Sequence, residues 1–191
     1  MVAGILRQNN IAWSFRKSLV VILPAASRYK ELKFVRGILE NDPTNSLAWL
    51  YLVWFVRMYV KDFLIDTIDT ELRDVTDVLK CRDNMHAWCY RQWLVAEKHQ
   101  NGGDFQSAVS IIREECNLTG QVLADDVKNI YAWSHRKWTM ERFGGWKDEL
   151  MFCQQVLEND IRNTLAWNQF YYNTLVVTLY IGGVFEKLTT F

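Results

Sequence analysis

"NIYAWSHRKW", residues Asn129–Trp138, decides the reading of this chain. An asparagine stands four places before a tryptophan, and a second tryptophan follows five places later, with His135, Arg136 and Lys137 between them. Asparagine is a strong helix N-cap, because its side-chain oxygen accepts from a first-turn N–H that has no partner in the helix. The tryptophan then falls about one turn in, where a large apolar ring can anchor the helix.

Working outward, Ala-Trp recurs at Trp13, Trp49, Trp88, Trp133 and Trp167, at separations of 36, 39, 45 and 34 residues. Four places before each stands Asn9, Asn45, Asn84, Asn129 or Asn163. Five coincidences at a period of this size mark a repeat architecture. Arg16, Arg91 and Arg136 follow three places after their tryptophans, on the same helix face. There a guanidinium can stack on an aromatic ring or fork onto a carboxylate. The second and fifth repeats carry Leu52 and Phe170 instead.

A second kind of helix alternates with the first. "ELKFVRGIL", "ELRDVTDVL" and "ELMFCQQVL" each place Glu eight residues before Leu, with apolar residues at i, i+3 and i+7. That is one stripe of an amphipathic helix. Residues 115–123 keep the spacing, weakened by Cys116 and Gly120. The pattern predicts A helices near 9–23, 45–61, 84–99, 129–143 and 163–180. B helices are expected near 28–41, 68–80, 105–123 and 147–159, with residues 101–113 extra to the period. The fold expected is all-α: one 1–191 domain of stacked hairpins forming an alpha-alpha superhelix, a right-handed solenoid. Its repeats lie near 9–41, 45–80, 84–123, 129–159 and 163–191.

Composition narrows the function classes. Lys plus Arg equals Asp plus Glu at 22 each, so there is no electrostatic footprint for nucleic acid or an anionic membrane. "TLVVTLYIGGVF" falls short of the roughly 20 apolar residues a spanning helix needs. The opening "MVAGILRQNN" is too short and polar for a signal peptide. Cys81, Cys89, Cys116 and Cys153 form no C-x-x-C pair, and His86 and His99 have no companion at ligand spacing. Reduced thiols in a cytoplasmic protein without a metal site are the expectation.

The stretch from Asn129 to Tyr172 resembles the repeats of protein prenyltransferase alpha subunits: Asn, three residues, Trp, two residues, Arg, then a helix with Glu-Leu. Gly-Gly-Trp at 144–146 and Trp-Asn-Gln at 167–169 resemble the alpha subunit shared by protein farnesyltransferase and type I geranylgeranyltransferase more than the Rab type. The resemblance implies a crescent of hairpins around a beta subunit, and no activity alone. The beta subunit would hold zinc, with magnesium as a further ion, most of the isoprenoid pocket and the C-a-a-X peptide site. The alpha subunit would scaffold it and supply part of the diphosphate cleft.

In the family a lysine just before one repeat's Asn neutralises the leaving diphosphate. That place here is Asp83, and the family's tyrosine after the Asn is Met85. A carboxylate would repel the diphosphate, so no residue is assigned as catalytic. Lys128, Tyr131, His135 and Arg82 are the candidates for the cleft or the partner face. For Lys128 a solvated turn is the plain alternative; for Arg136, a structural pair with a neighbouring hairpin's carboxylate. The chain is shorter than the family's, and its apolar ends predict dependence on a partner. The alternatives are a non-catalytic helical-repeat interaction protein, favoured by Asp83, and a shortened form that folds poorly.

Overall fold

The computed structural model describes residues 9–59, 66–81, 84–100 and 105–181. Among them are nine α-helices and no strand: α1 Asn10–Val21, α2 Ala25–Asn41, α3 Ser46–Tyr59, α4 Asp66–Cys81, α5 Met85–Gln100, α6 Phe105–Asp125, α7 Ile130–Phe143, α8 Trp146–Asn159 and α9 Thr164–Ile181. This is the all-α repeat that the spacing predicts. A and B helices alternate, and each A helix starts one residue after its asparagine. Of the extra stretch, 105–113 is the first half of α6, so those residues lengthen a B helix. Residues 101–104, Arg82, Asp83 and 182–191 lie outside the described residues.

The asparagine and the tryptophan are bound into one local device. Each Asn Oδ1 accepts from the N–H three places on, at Ala12, Ala48, Ala87, Ala132 and Ala166, over 2.9–3.2 Å. Trp49, Trp133 and Trp167 donate their indole N–H to the carbonyls of Pro43, Val127 and Ile161, two residues before their own asparagines. The Pro43 and Val127 carbonyls also take the Nδ2 of the next repeat's asparagine, Asn84 and Asn163. Asn84 and Asn163 therefore cap their own helices and tie them to the previous repeat's turn, which Asp, having no donor, cannot do. The alanine before four of the tryptophans, at 48, 87, 132 and 166, has no exposed surface, so a larger side chain has no room there.

The turns into these helices share a mechanism too. Asp42, Asp126 and Asp160 end their B helices and accept from the asparagine N–H three places on. The Asp126 and Asp160 carboxylates also accept the N–H of Lys128 and Arg162, closing an Asx turn. Between α7 and α8 the turn is made by Gly144 and Gly145, with φ of +96° and +92°. Backbone there lies in the region that favours glycine.

The chain divides into two compact units, Met1–Lys98 and His99–Phe191. In the first, α3 packs on α1 and α2, and Val35, Leu39, Leu52, Phe55, Val75 and Leu79 are core. In the second, α6 packs on α7, and α9 packs on α7 and α8, around Leu118, Val122, Met140, Cys153 and Leu157. Of the B-helix stripes, Leu32, Val35, Leu39, Val75, Leu79, Cys153 and Leu157 are core, whereas Leu72 and Leu150, which follow the buried glutamates, are half-buried.

Candidate functional site

The B-helix glutamates organise the polar interior. Glu31, Glu71, Glu115 and Glu149 are buried, with 6%, 2%, 2% and 1% of their surface exposed. Each receives a donor from the next A helix, from the residue two places after its tryptophan. Tyr51 donates its hydroxyl to Glu31 at 2.6 Å, and Tyr90 to Glu71 at 2.7 Å. His135 Nε2 meets Glu115 at 2.7 Å, and Gln169 Nε2 donates to Glu149 at 3.4 Å. Burial, then the facing carboxylate, pushes the Tyr51 and Tyr90 hydroxyls well above the ordinary phenol range, so they stay protonated donors.

Arginines complete three of these glutamates. Arg16 forks onto Glu31 at 2.5 and 2.6 Å, with its guanidinium 3.7 Å over the Phe34 ring. Arg136 forks onto Glu149 at 2.5–3.0 Å, 3.7 Å over Phe152. The stack and the fork, offered as alternatives by the sequence, occur together. Arg136 also donates to the Cys116 carbonyl and the Thr119 hydroxyl, so one side chain joins α6, α7 and α8. Arg91 grips the matching pair on α4, the Leu72 carbonyl and Thr76 hydroxyl. A buried charge of this kind has to be paired, which is the structural role of the Trp-x-x-Arg motif.

At Leu52 no guanidinium is available, and Arg36 of α2 crosses to Glu71 and to Asp74, the latter at 3.1 Å. A cleft of about 620 Å³ opens beside it, lined by Tyr29, Lys33, Arg36, Trp49, Leu52 and Tyr90 among others. Its charges are mixed, since Glu40, Asp74 and Asp77 also line it.

The structure sorts the candidate residues. His135 is fully buried against Glu115, which corrects the partner-facing position expected for it. Its inward turn follows from its repeat position, because Tyr51, Tyr90 and Gln169 turn inward at the same place. Lys128 is exposed in the α6–α7 turn, and Tyr131 is half-buried in the first turn of α7. Neither joins the Arg136 cluster. Arg82 and Asp83 lie outside the described residues, and Met85 beside them is exposed. Burial raises the Cys116 thiol to about 11 and the Cys153 thiol to about 12, so both stay protonated at neutral pH. Among the described residues no group of three or more His, Cys, Asp and Glu is placed to hold a metal, and no helix is long and apolar enough to cross a membrane.

The Glu-Leu spacing marks the repeat but does not by itself reveal the four glutamates as the partners of the inward-turned donors. The signal available was their fixed distance of 19–20 residues before the inward-turned donor.

Three stretches, residues 29–59, 68–97 and 112–143, match the protein prenyltransferase alpha subunit repeat. Each takes in a B helix and the A helix that follows it. The chain is also similar to the geranylgeranyl transferase type-2 subunit alpha of Saccharomyces cerevisiae, 27% identical over 135 residues. That alignment covers 66% of this chain and 38% of the relative, well under half the relative's length. Together these likenesses support the prenyltransferase alpha family.

Proposed function

We propose that this chain, whose hairpins match the prenyltransferase alpha repeat, is the alpha-type subunit of a heterodimeric protein prenyltransferase. The observation that carries the reading is the match of three successive hairpins. In this reading the chain scaffolds a beta subunit, and the heterodimer transfers an isoprenoid from its diphosphate to a substrate cysteine thiol. In this reading the metal belongs to the partner, as the family resemblance implies. Bound there, zinc would hold the substrate cysteine as a thiolate.

What this chain adds is a scaffold and positive charge at the cleft. His135 and Arg136 are committed to buried carboxylates and cannot serve. Lys128 is exposed and able to reach an anion, with Tyr131 one turn away; Arg82 is the remaining cation in sequence. Gly-Gly-Trp and Trp-Asn-Gln favour a farnesyl or type I geranylgeranyl beta subunit; the yeast relative favours a type-2 partner. The experiment is co-expression with each kind of beta subunit, followed by co-purification and isoprenoid transfer to a cysteine-bearing substrate. A stable pair with one of them supports the subunit reading and chooses between the types.

A second reading rests on Asp83. A carboxylate at the place of the family's lysine favours a helical-repeat interaction protein without catalysis. Losing one stabiliser of developing charge costs about 10²–10³ in rate. Asp83→Lys in an inactive but stable pair separates the two: a gain in transfer supports the subunit reading, and none supports the interaction protein.

A further inference from the structure

Two of the repeats stack an arginine of the A helix on a phenylalanine of the B helix that follows. The guanidinium of Arg16 lies 3.7 Å over Phe34, and that of Arg136 lies 3.7 Å over Phe152. Each phenylalanine stands three places after the buried glutamate of its B helix. Phe152 also packs on Trp133, with ring centroids 5.8 Å apart. Ring and guanidinium together fill the space between the two helices.

In the second repeat both members of this pair change. Leu52 stands at the arginine's place, and Asp74, three after Glu71, at the phenylalanine's. Arg36 crosses from α2 without replacing the pair. Arg136 uses all three guanidinium nitrogens on acceptors. Arg36 reaches Glu71 and Asp74 through its two terminal nitrogens, and its Nε has no partner among the described residues. It also brings no ring. The cleft of about 620 Å³ lies at this double change, since Trp49, Leu52, Asp74 and Arg36 all line it. Its size is that of a small-molecule site. Gly37 lines it too, and a Cβ there meets nothing within 4 Å, so α2 presents bare backbone to the cleft.

The lining selects the chemistry of a ligand. Carboxylates outnumber cations four to two: Glu40, Glu71, Asp74 and Asp77 against Lys33 and Arg36. Glu40 and Asp77, both exposed, are the carboxylates that Arg36 does not engage. Trp49, Leu52 and Val75 supply the apolar wall. We infer that the cleft binds a small aromatic cation: a planar ring joined to a guanidinium, amidinium or ammonium group. The ring takes the position near Trp49 that Phe152 holds against Trp133, and the cation faces Glu40 and Asp77. One molecule of this kind supplies both the ring and the positive charge that Asp74 and Leu52 leave out. An anion of the same shape meets an excess of carboxylates.

The test is isothermal titration calorimetry of phenylguanidine into the full chain, with the amide NMR signals of Gly37 and Val75 locating the site. Saturable one-to-one binding is expected. Guanidinium, which has no ring, and benzyl alcohol, which has no charge, should each bind at least about tenfold more weakly. Benzoate should not bind. Gly37→Leu puts a side chain into open space at the cleft and should abolish binding, with helix content and Tm retained. Leu52→Arg combined with Asp74→Phe rebuilds the stack of the other repeats and should abolish binding as well. If that double variant unfolds, Gly37→Leu alone decides. A wild type that shows no saturable binding overturns the proposal. So does any of the three simpler compounds matching phenylguanidine, or binding that survives Gly37→Leu.

Discussion

An asparagine side chain carries an acceptor and donors, and Asn163 uses both kinds, capping α9 through Oδ1 and reaching Val127 through Nδ2. Asn163→Asp keeps the cap and loses the donor, so it should cost about 1 kcal/mol. Asn163→Ala loses both and should cost about 2 kcal/mol. Urea unfolding measures the difference; equal losses would mean that the Val127 bond contributes nothing. Arg136 and Glu149 pose a harder problem, since both are buried. Glu149→Leu leaves a guanidinium without its carboxylate and should cost about 3–5 kcal/mol. Glu149→Leu combined with Arg136→Met should recover most of that loss, because the uncompensated charge goes with its partner. A double variant as unstable as Glu149→Leu alone would refute the pairing argument.

Helices and turns are sensitive to different residues. Gly120 lies inside α6, and a Cβ there meets nothing within 4 Å. Gly120→Ala should stabilise by about 0.5–1 kcal/mol through helix propensity. Gly145 has a positive φ, and a Cβ there would stand 3.1 Å from Ile112 Cγ2. Gly145→Ala should destabilise by about 1–3 kcal/mol. Opposite shifts in denaturation midpoint confirm that the turn, not the glycine count, is what matters. Between α2, α3 and α4, Arg36 stands in for the arginine that Leu52 lacks. Arg36→Met should cost about 2 kcal/mol, the value of hydrogen bonds to a charged group. Adding Leu52→Arg should restore stability, because Arg16 and Arg136 reach the next B-helix glutamate from the same position. Failure of that rescue, read by thermal unfolding, would show that α4 is not placed as α2 and α8 are.

At the scale of the whole molecule, charge and apolar surface act together. Half of the residues are hydrophobic and the formal net charge is zero, with a sequence pI near 6.8. Solubility should pass through a minimum near pH 6.8, where self-repulsion vanishes. Turbidity against pH at fixed concentration checks this.

The helices and their order are legible in the residue order alone, because their causes are local. An asparagine cap, a three-to-four residue apolar period and an Asp-led turn act within a few residues of one another, and the helix starts follow them closely. The residue order also contains the fork and stack of Arg16 and Arg136 as physical options. Where the polar groups go is set by the packing of helices distant in sequence. His135 reads as an unmatched surface residue until packing sets it against Glu115, 20 residues earlier on another helix. Arg36 reads as an ordinary B-helix cation until Leu52 leaves Glu71 without a guanidinium to pair with. A cap is fixed by neighbours along the chain. The partner of a buried charge is fixed by whichever helix the packed core brings within reach.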